Sequence, residues 1–416
     1  MEYGCIGRKL SHSFSVEIHN KIGDYPYTLV ELTPEELSSF FEKRDFKGIN
    51  ITIPYKTEAL KYLDYVSDSA EKIGAVNTVV NKNGLLYGYN TDFDGLRSLI
   101  ERSGIEIKNK TVAVLGSGGT AKTACCVCEA LGAGLILKVS RSPGESFISY
   151  NELYSGQGNI QVIINATPCG MFPDTEPAPV KLSGFGRLEA AVDVIYNPLK
   201  TAFLSEAEHF GKKTCGGLYM LVSQAVFAAG YFFEKTYSAD FREHIYTDIC
   251  REKRNVVLVG MPSSGKTTAG KVLADKLGRA FFDTDDIVEK YCGCPVKDIF
   301  SKYGEAYFRE LERRAVKEVS ANTGCVIATG GGAVLDSRNI FELKKNGRVY
   351  FLDRPLPLLF GDSSRPLSQT TDDMKKLFDA RYGLYKSSAD CIVDASCGID
   401  ETVNSVSEDM YENSCY

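Results

Sequence analysis

Two glycine-rich turns constrain the fold of this chain more than any other feature, because each follows a short apolar strand and opens a helical segment. The first turn begins at Gly116, after the run Thr111–Leu115, and the second begins at Gly260, after the run Val256–Val259. Such turns let backbone N–H groups approach a phosphate at the N-terminus of a helix. Since one phosphate loop per domain is usual, the sequence predicts two separate nucleotide-binding units.

The rest of the chain alternates short β-branched runs with longer helical patterns, which is typical of α/β folds with parallel sheets. A length of 416 residues fits roughly two to three domains. We place the boundary near residue 250, where the charged helical segment Phe241 to Arg254 meets the next strand. The further predicted strands are Leu135–Val139, Val162–Asn165, Val192–Ile195, Cys325–Ala328 and Val349–Leu352.

Composition narrows the function classes. A net charge of −6 argues against nucleic acid or an anionic membrane as the main partner. No apolar run approaches the ~18 residues that a spanning helix needs, and the first residues do not read as a secretory signal. The 13 cysteines, an odd number, are interpreted as reduced thiols. We therefore expect a cytoplasmic enzyme with small-molecule partners, which leaves a homo-oligomer open.

The first glycine turn predicts a dinucleotide site. The run Gly116–Ala121 reads G-S-G-G-T-A, close to the pattern G-x-G-x-x-G with alanine in the last place. An NAD site calls for an acidic residue at the tip of the following strand, and Ser140, Arg141 and Ser142 stand there instead. An arginine between hydroxyls suits a 2′-phosphate and favours NADP, although a solvated loop arginine is the alternative. The candidate cofactor residues are Gly116, Gly118, Gly119, Ser140, Arg141 and Ser142.

Four polar clusters precede this site in the sequence. They are Ser11–Ser15, Asn50–Lys56, Gly74–Thr78 and Asn90–Asp92. Hydroxyls and amides at strand ends suit a polyhydroxylated ligand that carries a carboxylate. A lysine beside an aspartate can hold the proton that a carbonyl needs as hydride arrives. Taken alone, a lysine such as Lys56 is more often a surface lysine.

The second glycine turn matches the phosphate-loop pattern G-x-x-x-x-G-K-[ST] over Gly260–Thr267. Lys266 is expected to reach the β- and γ-phosphates, and Thr267 to bind Mg²⁺. The motif by itself does not separate a kinase from an ATPase or GTPase. The candidate ATP-binding residues are Gly260, Ser263, Ser264, Gly265, Lys266, Thr267 and Thr268.

Acidic residues after the next strand favour a kinase. Of Asp283 and Asp285, one can hold hydrated Mg²⁺, and the other can orient an acceptor hydroxyl. Three glycines, Gly330, Gly331 and Gly332, follow a later strand and allow a ligand to approach the backbone. The basic residues Arg309, Arg365 and Arg381 read either as ligand contacts or as surface charges.

Residues 1–250 resemble the shikimate dehydrogenase family, on six motifs in order. The resemblance implies that Lys56 and Asp92 are the catalytic pair. It implies a substrate lobe of residues 1–95 plus about 216–250, and a Rossmann NADP lobe of about 96–215. The run Asn165–Pro168 is similar to the loop that passes the nicotinamide ribose. The matching substrate-binding residues are Ser13, Ser15, Thr52, Asn77, Tyr196 and Gln224.

Residues 251–416 resemble shikimate kinase, a P-loop α/β domain with a parallel sheet. By this resemblance Asp283 is the magnesium-side aspartate, and Asp285 contacts the substrate hydroxyls and takes the proton. Arg365 is the lid arginine, and Glu312 positions Arg309. The matching substrate-side residues are Asp285, Arg309, Gly330, Gly331, Gly332 and Arg381.

The two resemblances share one small molecule. The first half would reduce 3-dehydroshikimate to shikimate with NADPH. The second half would transfer a phosphoryl group from MgATP to that shikimate. Glu145 stands where many relatives carry a second basic residue, which weakens the preference for NADP without reversing it. A quinate-type dehydrogenase that tolerates NAD is an alternative, although Ser13 and Ser15, where quinate-preferring relatives often vary, are both present. A ligand-sensing derivative without catalysis is the alternative from another class.

Overall fold

The computed structural model describes residues 1–10, 13–142, 144, 146–359, 371–413 and 415. The chain divides into two compact units, Met1–Ile249 and Cys250–Tyr416, here called unit 1 and unit 2. Within the described residues no helix is long and apolar enough to cross a membrane.

Unit 1 begins with a six-stranded sheet of order β2-β1-β3-β5-β6-β4 among the described residues. The β3, β5 and β6 strands pair antiparallel, so this sheet is mixed and not parallel throughout. A two-residue turn joins β5 to β6, and its residues Asn83 and Gly84 both have positive φ, as tight hairpins favour. The strands are β1 Tyr3–Gly7, β2 Tyr27–Glu31, β3 Gly48–Ile51, β4 Tyr65–Val66, β5 Thr78–Lys82 and β6 Leu85–Tyr89.

The second sheet of unit 1 has order β11-β10-β9-β7-β8 in the described part of the chain, and all its neighbours pair parallel. The predicted strand Val192–Ile195 is shifted, because the Asp193 side chain accepts a hydrogen bond from the Ile195 N–H and turns the chain. The strands are β7 Thr111–Leu115, β8 Leu135–Val139, β9 Val162–Asn165, β10 Ala190–Asp193 and β11 Lys213–Cys215.

Helices cover both sheets of unit 1. The long α8 is apolar around most of its surface and returns from the second sheet to pack Ala228 and Phe232 on β1 and β5. The helices are α1 Ser15–Ile22, α2 Pro34–Lys43, α3 Asp68–Ile73, α4 Thr91–Ser103, α5 Gly119–Ala130, α6 Tyr150–Ser155, α7 Ala202–His209, α8 Leu218–Phe233 and α9 Ala239–Lys253, whose last turn belongs to unit 2.

Unit 2 is built on a parallel sheet of order β13-β14-β12-β15-β16 within the described residues. Apolar clusters fill both faces of the sheet, because buried parallel strands such as β12 are apolar on both sides. The strands are β12 Asn255–Val259, β13 Phe281–Asp283, β14 Val326–Ala328, β15 Gly347–Asp353 and β16 Cys391–Asp394. The helices are α10 Lys266–Leu277, α11 Thr284–Cys292, α12 Val296–Ser320, α13 Ser337–Asn346, α14 Thr371–Ser388 and α15 Ile399–Glu412.

The candidate site residues lie where strands end. The glycine turns follow β7 and β12, and the acidic and glycine clusters of unit 2 follow β13 and β14. Because the carboxyl ends of parallel strands meet at one edge, the first glycine turn lies at the carboxyl edge of the second sheet of unit 1, and the site residues of unit 2 gather at the carboxyl edge of its sheet.

Candidate active sites

A lysine–aspartate pair lies at the edge of the first sheet. Lys56 is in the turn after β3, and Asp92 is in the first turn of α4. The Lys56 Nζ donates to Asp92 Oδ2 at 2.5 Å, with the two side chains 17% and 10% exposed. The geometry rules out the solvated surface lysine that the sequence alone left open.

Asn77 links this pair to α8. Its Nδ2 donates to Asp92 Oδ1 at 2.9 Å and to Gln224 Oε1 at 3.4 Å. Its Oδ1 accepts from the Thr91 N–H at 2.7 Å, which fixes the amide orientation. Residues 147 positions apart in the chain are thereby joined in one hydrogen-bonded group.

The two predicted serines lie together at the start of α1. The Ser13 hydroxyl donates to Ser15 Oγ at 2.9 Å, and the Ser15 N–H donates back to Ser13 Oγ. The ring of Phe14 between them packs against Tyr196, with centroids 5.3 Å apart. Burial raises the pKa of Tyr196 to about 12, so its hydroxyl is neutral at physiological pH. Thr52 is half-buried directly after β3, with its N–H bonded to the Ile6 carbonyl.

The first glycine turn packs closely on the loop after β9. Gly116 has φ +116°, and a Cβ there would lie 2.9 Å from the Ala166 carbonyl oxygen. Around Gly118, the residue before α5, a Cβ would meet no described atom within 4 Å. Position 116 therefore has no room for a side chain, whereas the space around Gly118, at the N-terminus of α5, is open. This arrangement suits a pyrophosphate.

At the tip of β8, Ser140 is buried, whereas Arg141 and Ser142 are exposed. The Ser142 N–H donates to Ser140 Oγ at 3.2 Å, which turns the tip. The arginine is therefore presented to solvent, on the strand next to the glycine turn, where it can meet an anionic group. Glu145 lies outside the described residues.

In the phosphate loop of unit 2, the lysine side chain is bonded to the main chain of the same loop. The Lys266 Nζ is buried and donates to the carbonyl oxygens of Gly260 at 2.9 Å and Met261 at 2.8 Å. Ser264 Oγ is buried without a hydrogen-bond partner among the described residues. Ser263 has φ +66°, a conformation that a non-glycine residue seldom adopts. Thr268 is exposed at the start of α10.

The next strand supplies the acids. The Thr267 hydroxyl donates to Asp283 Oδ2 at 2.7 Å, and the Asp285 N–H donates to Asp283 Oδ1 at 3.0 Å. A hydroxyl and a carboxylate in direct contact are the ligand types that Mg²⁺ takes beside a nucleotide. These residues fit the ion.

The glycine run after β14 faces Asp285 and Arg309. A Cβ on Gly330 would overlap Asp285 Oδ1, and a Cβ on Gly332 would overlap the Arg309 guanidinium. On the other side of the run, the Gly331 carbonyl accepts from Arg381 at 3.1 Å and from the Tyr385 hydroxyl. The run is therefore packed between the two arginines predicted to bind substrate.

Arg309 is held by two carboxylates on its own helix. Its Nη1 donates to Glu312 Oε2 at 2.7 Å and its Nη2 to Glu305 Oε1 at 3.0 Å. Burial raises the pKa of Glu312 to about 7, against the opposing attraction of Arg309. Glu312 Oε1 has no hydrogen-bond partner among the described residues. Sequence reasoning missed Glu305 and Tyr385, while Arg365 lies outside the described residues.

Comparison with known proteins identifies unit 1. The family model of the shikimate dehydrogenase substrate binding domain matches residues 5–79. A shikimate dehydrogenase (NADP(+)) of Clostridium beijerinckii is 40% identical over 241 residues, which are 54% of this chain and 88% of that protein. The chain belongs to the shikimate dehydrogenase family.

Solved structures of this family agree with the fold. A chorismate mutase/shikimate 5-dehydrogenase fusion protein from Clostridium acetobutylicum is 38% identical with a TM-score of 0.57, covering 59% of this chain and 96% of that one. Shikimate 5-dehydrogenase from Thermus thermophilus, in complex with NADP(H) and shikimate, is 29% identical with a TM-score of 0.54, covering 60% and 99%.

Unit 2 matches a different family. The shikimate kinase family model covers residues 262–411. The chain thus joins a shikimate dehydrogenase to a C-terminal shikimate kinase domain, and it combines these two activities of the shikimate pathway in one polypeptide. The predicted α/β fold and the predicted pair of enzymes are both confirmed.

Proposed function

We propose that unit 1 reduces 3-dehydroshikimate to shikimate with NADPH, and that unit 2 phosphorylates shikimate on its 3-hydroxyl from MgATP. The observation that carries the first half is the half-buried Lys56–Asp92 pair, in which Asp92 is also bonded to the amide of Asn77. Within unit 1, we assign residues 1–95 and about 216–250 to the substrate lobe and about 96–215 to the NADP lobe.

In the reduction, Lys56 gives a proton to the substrate carbonyl oxygen as the carbonyl carbon receives hydride. The hydride comes from NADPH. Asp92 holds the ammonium in place by accepting its hydrogen bond at Oδ2. After the step the lysine is neutral and regains a proton from solvent.

The substrate contacts follow from the side chains around this pair. Asn77 and Gln224 are placed to bind the ring hydroxyls through their amides, and Ser13 with Ser15 to bind the carboxylate through hydroxyls. Tyr196 keeps its proton and can donate to the same ligand. Thr52 completes this set from the end of β3.

For the cofactor of unit 1 we propose NADP(H). Arg141 is exposed at the tip of β8, where the sequence provides no acid for a ribose hydroxyl. A guanidinium matches the 2′-phosphate in charge and in fork geometry. Gly116, Gly118 and Gly119 leave room for the pyrophosphate at the start of α5, with Ser140 and Ser142 beside the arginine.

In the phosphorylation, Asp285 accepts the proton of the substrate hydroxyl as that oxygen attacks the γ-phosphorus, the bond from this phosphorus to the β,γ-bridging oxygen breaks, and ADP leaves. Lys266 stabilises the charge on the transferring group, and Gly260 to Thr268 bind the phosphates through the backbone. Mg²⁺ neutralises phosphate charge when bound, and Thr267 and Asp283 would hold it. Arg309 and Arg381 bind the substrate carboxylate on either side of Gly330–Gly332, and Arg365 is assigned to the lid.

Two assays on the purified chain test this proposal. NADPH oxidation is followed by the loss of the reduced-nicotinamide absorbance, with 3-dehydroshikimate as substrate. ADP release is then followed with shikimate and MgATP. Both reactions should proceed, each only with its own cofactor, and failure of either would remove that unit's assignment.

A further inference from the structure

Asp193 is a buried carboxylate that the mechanism above does not use. It ends β10, is fully buried, and lies directly beside Asn165 at the end of β9. Three donors bond to it: Asn165 Nδ2 at 3.1 Å, the Ile195 N–H at 3.0 Å and the Thr201 hydroxyl at 2.7 Å. A buried acid with this many donors orders the groups around it.

One side of this network leads to the cofactor turn. Asn165 Oδ1 accepts from the Thr167 hydroxyl at 2.6 Å and from the Thr167 N–H at 3.1 Å, which shapes the loop after β9. That loop places the Ala166 carbonyl against Gly116 so closely that a Cβ would be only 2.9 Å away. The position of the loop therefore sets the width of the cofactor turn.

The other side leads to the substrate groups. The Ile195 N–H is fixed by Asp193, and the Ile195 carbonyl accepts from the Gly217 N–H at 2.9 Å, at the start of α8. The next residue, Tyr196, packs on Phe14 between the paired serines, and α8 carries Gln224. A shift of Asp193 would move both substrate side chains.

We propose that Asp193 is a positioning residue that sets the cofactor loop (Ala166–Cys169) and the substrate segment (Val194–Tyr196) relative to one another. This deepens the proposed reduction and rests on it. Asp193 touches neither ligand, so its effect should appear as misplacement of both at once. Misplacement of reacting groups by about 1 Å can lower rates by roughly 10²-fold.

The test compares three variants of the full chain. Asp193→Ala removes all three acceptor contacts. Asp193→Asn retains them, because its Oδ1 can accept from Asn165 and Ile195 while its amide donates to the Thr201 oxygen. Thr201→Val is the matched control, since it removes one bond to Asp193 but neither of the bonds that lead to the two loops.

Kinetics give the first readout. Asp193→Ala should raise the KM for NADPH and for 3-dehydroshikimate together, each by ~10-fold or more, and lower kcat. Asp193→Asn should keep both KM values within about threefold of those of the unmodified protein. Thr201→Val should leave both KM values unchanged even where it lowers thermal stability. If Asp193→Ala does not fold, Asp193→Ser replaces it with the same expected direction.

Hydrogen exchange gives a readout that does not need turnover. Amides in the cofactor loop and in the substrate segment should both lose protection in Asp193→Ala and keep it in Thr201→Val. A folded Asp193→Ala protein with unchanged KM values and unchanged protection would overturn the proposal, and so would a change confined to one of the two ligands. If the unmodified protein did not reduce 3-dehydroshikimate, the proposed function would fail, while the exchange result would still decide the role of Asp193.

Discussion

The two active sites of this chain hold their cations in different ways. In unit 1 the Lys56 ammonium is fixed by one carboxylate, Asp92, whose other oxygen accepts from the neutral amide of Asn77. In unit 2 the Lys266 ammonium is bonded to main-chain carbonyl oxygens, and Arg309 to carboxylates of its own helix.

The difference follows from the charge that each reaction handles. Carbonyl reduction moves one proton and one hydride, so one well-placed ion pair is sufficient to position the proton donor. Phosphoryl transfer brings a multiply charged ligand, so the site needs cations whose present acceptors can be replaced by phosphate oxygens. Neutral carbonyl oxygens are weaker acceptors than phosphate, and Lys266 can exchange one for the other.

The largest effect is expected at Lys266. Lys266→Met should lower phosphorylation of shikimate by ~10³-fold, because it removes the charge that meets the phosphates. Reduction of 3-dehydroshikimate should stay within about twofold. Lys276→Met is the control, since Lys276 is exposed on the same helix. If Lys266→Met phosphorylated shikimate at a rate within tenfold of the unmodified protein, Lys266 would not be catalytic. The contrast drawn between the two sites would then be wrong.

The ion pair of unit 1 should give the next largest effect. Lys56→Ala should lower kcat of the reduction by ~10²-fold with a modest change in KM, since the proton donor is lost. Asp92→Asn should act on the same step, so the double variant should be less than multiplicative. The exposed Lys61 provides the control variant Lys61→Ala. A near-normal kcat in Lys56→Ala would leave the proton donor unassigned.

A glycine tests how tightly unit 2 is packed around its arginine. Gly332→Ala should displace the Arg309 guanidinium, because the added Cβ overlaps it. Loss of a charge-assisted contact of ~1.5–3 kcal/mol corresponds to a rise of roughly 10- to 100-fold in the KM for shikimate. Gly383→Ala, where a Cβ meets no described atom within 4 Å, is the matched control. An unchanged KM in Gly332→Ala would mean that Arg309 does not bind the substrate.

The cofactor contact of unit 1 is expected to contribute less. Arg141→Ala should raise the KM for NADPH by ~10-fold and leave that for NADH unchanged, because only NADPH carries the 2′-phosphate. Arg187→Ala replaces another exposed arginine of the same lobe as a control. Equal efficiency with both cofactors in the unmodified protein would contradict the preference for NADP.

The smallest effect concerns pH and stability. Burial raises the pKa of Asp193 to about 7, so the folded state binds this proton more tightly than the unfolded chain does. Its stabilising contribution is therefore complete at low pH and is lost as pH rises through the folded pKa. Unit 1 should lose about 1.4 kcal/mol between pH 6 and pH 8 through this group, and Asp193→Asn should lose none of it. Hydrogen exchange of the β10 amides, corrected for intrinsic rates, measures the stability of unit 1 in the unmodified protein and in Asp193→Asn. If the stability of the two proteins changed with pH in the same way, the assignment to Asp193 would be contradicted.

Both glycine turns could be predicted from the sequence, because a strand, a glycine spacing and a helix lie within a few consecutive residues. The Lys56–Asp92 contact joins residues 36 apart, so only family resemblance could pair them before the fold was known. The hairpin at Asn83 and Gly84 had a local signal, an Asn-Gly pair between apolar runs, and was still missed. Hydrogen-bond networks such as that of Asp193 depend on which strands become neighbours, and strand order has no local signal.

The central claim is that two complete and independent active sites share one metabolite, and mixing two inactive variants tests it most directly. Lys56→Ala retains the kinase site, and Lys266→Met retains the dehydrogenase site. Each alone, given 3-dehydroshikimate, NADPH and MgATP, should form almost no shikimate 3-phosphate. The mixture should form it at a rate comparable to the unmodified chain at the same site concentration, because shikimate released by one protein reaches the other. A mixture that remained inactive, with both proteins folded, would contradict the account and point to a site that needs both units of one chain.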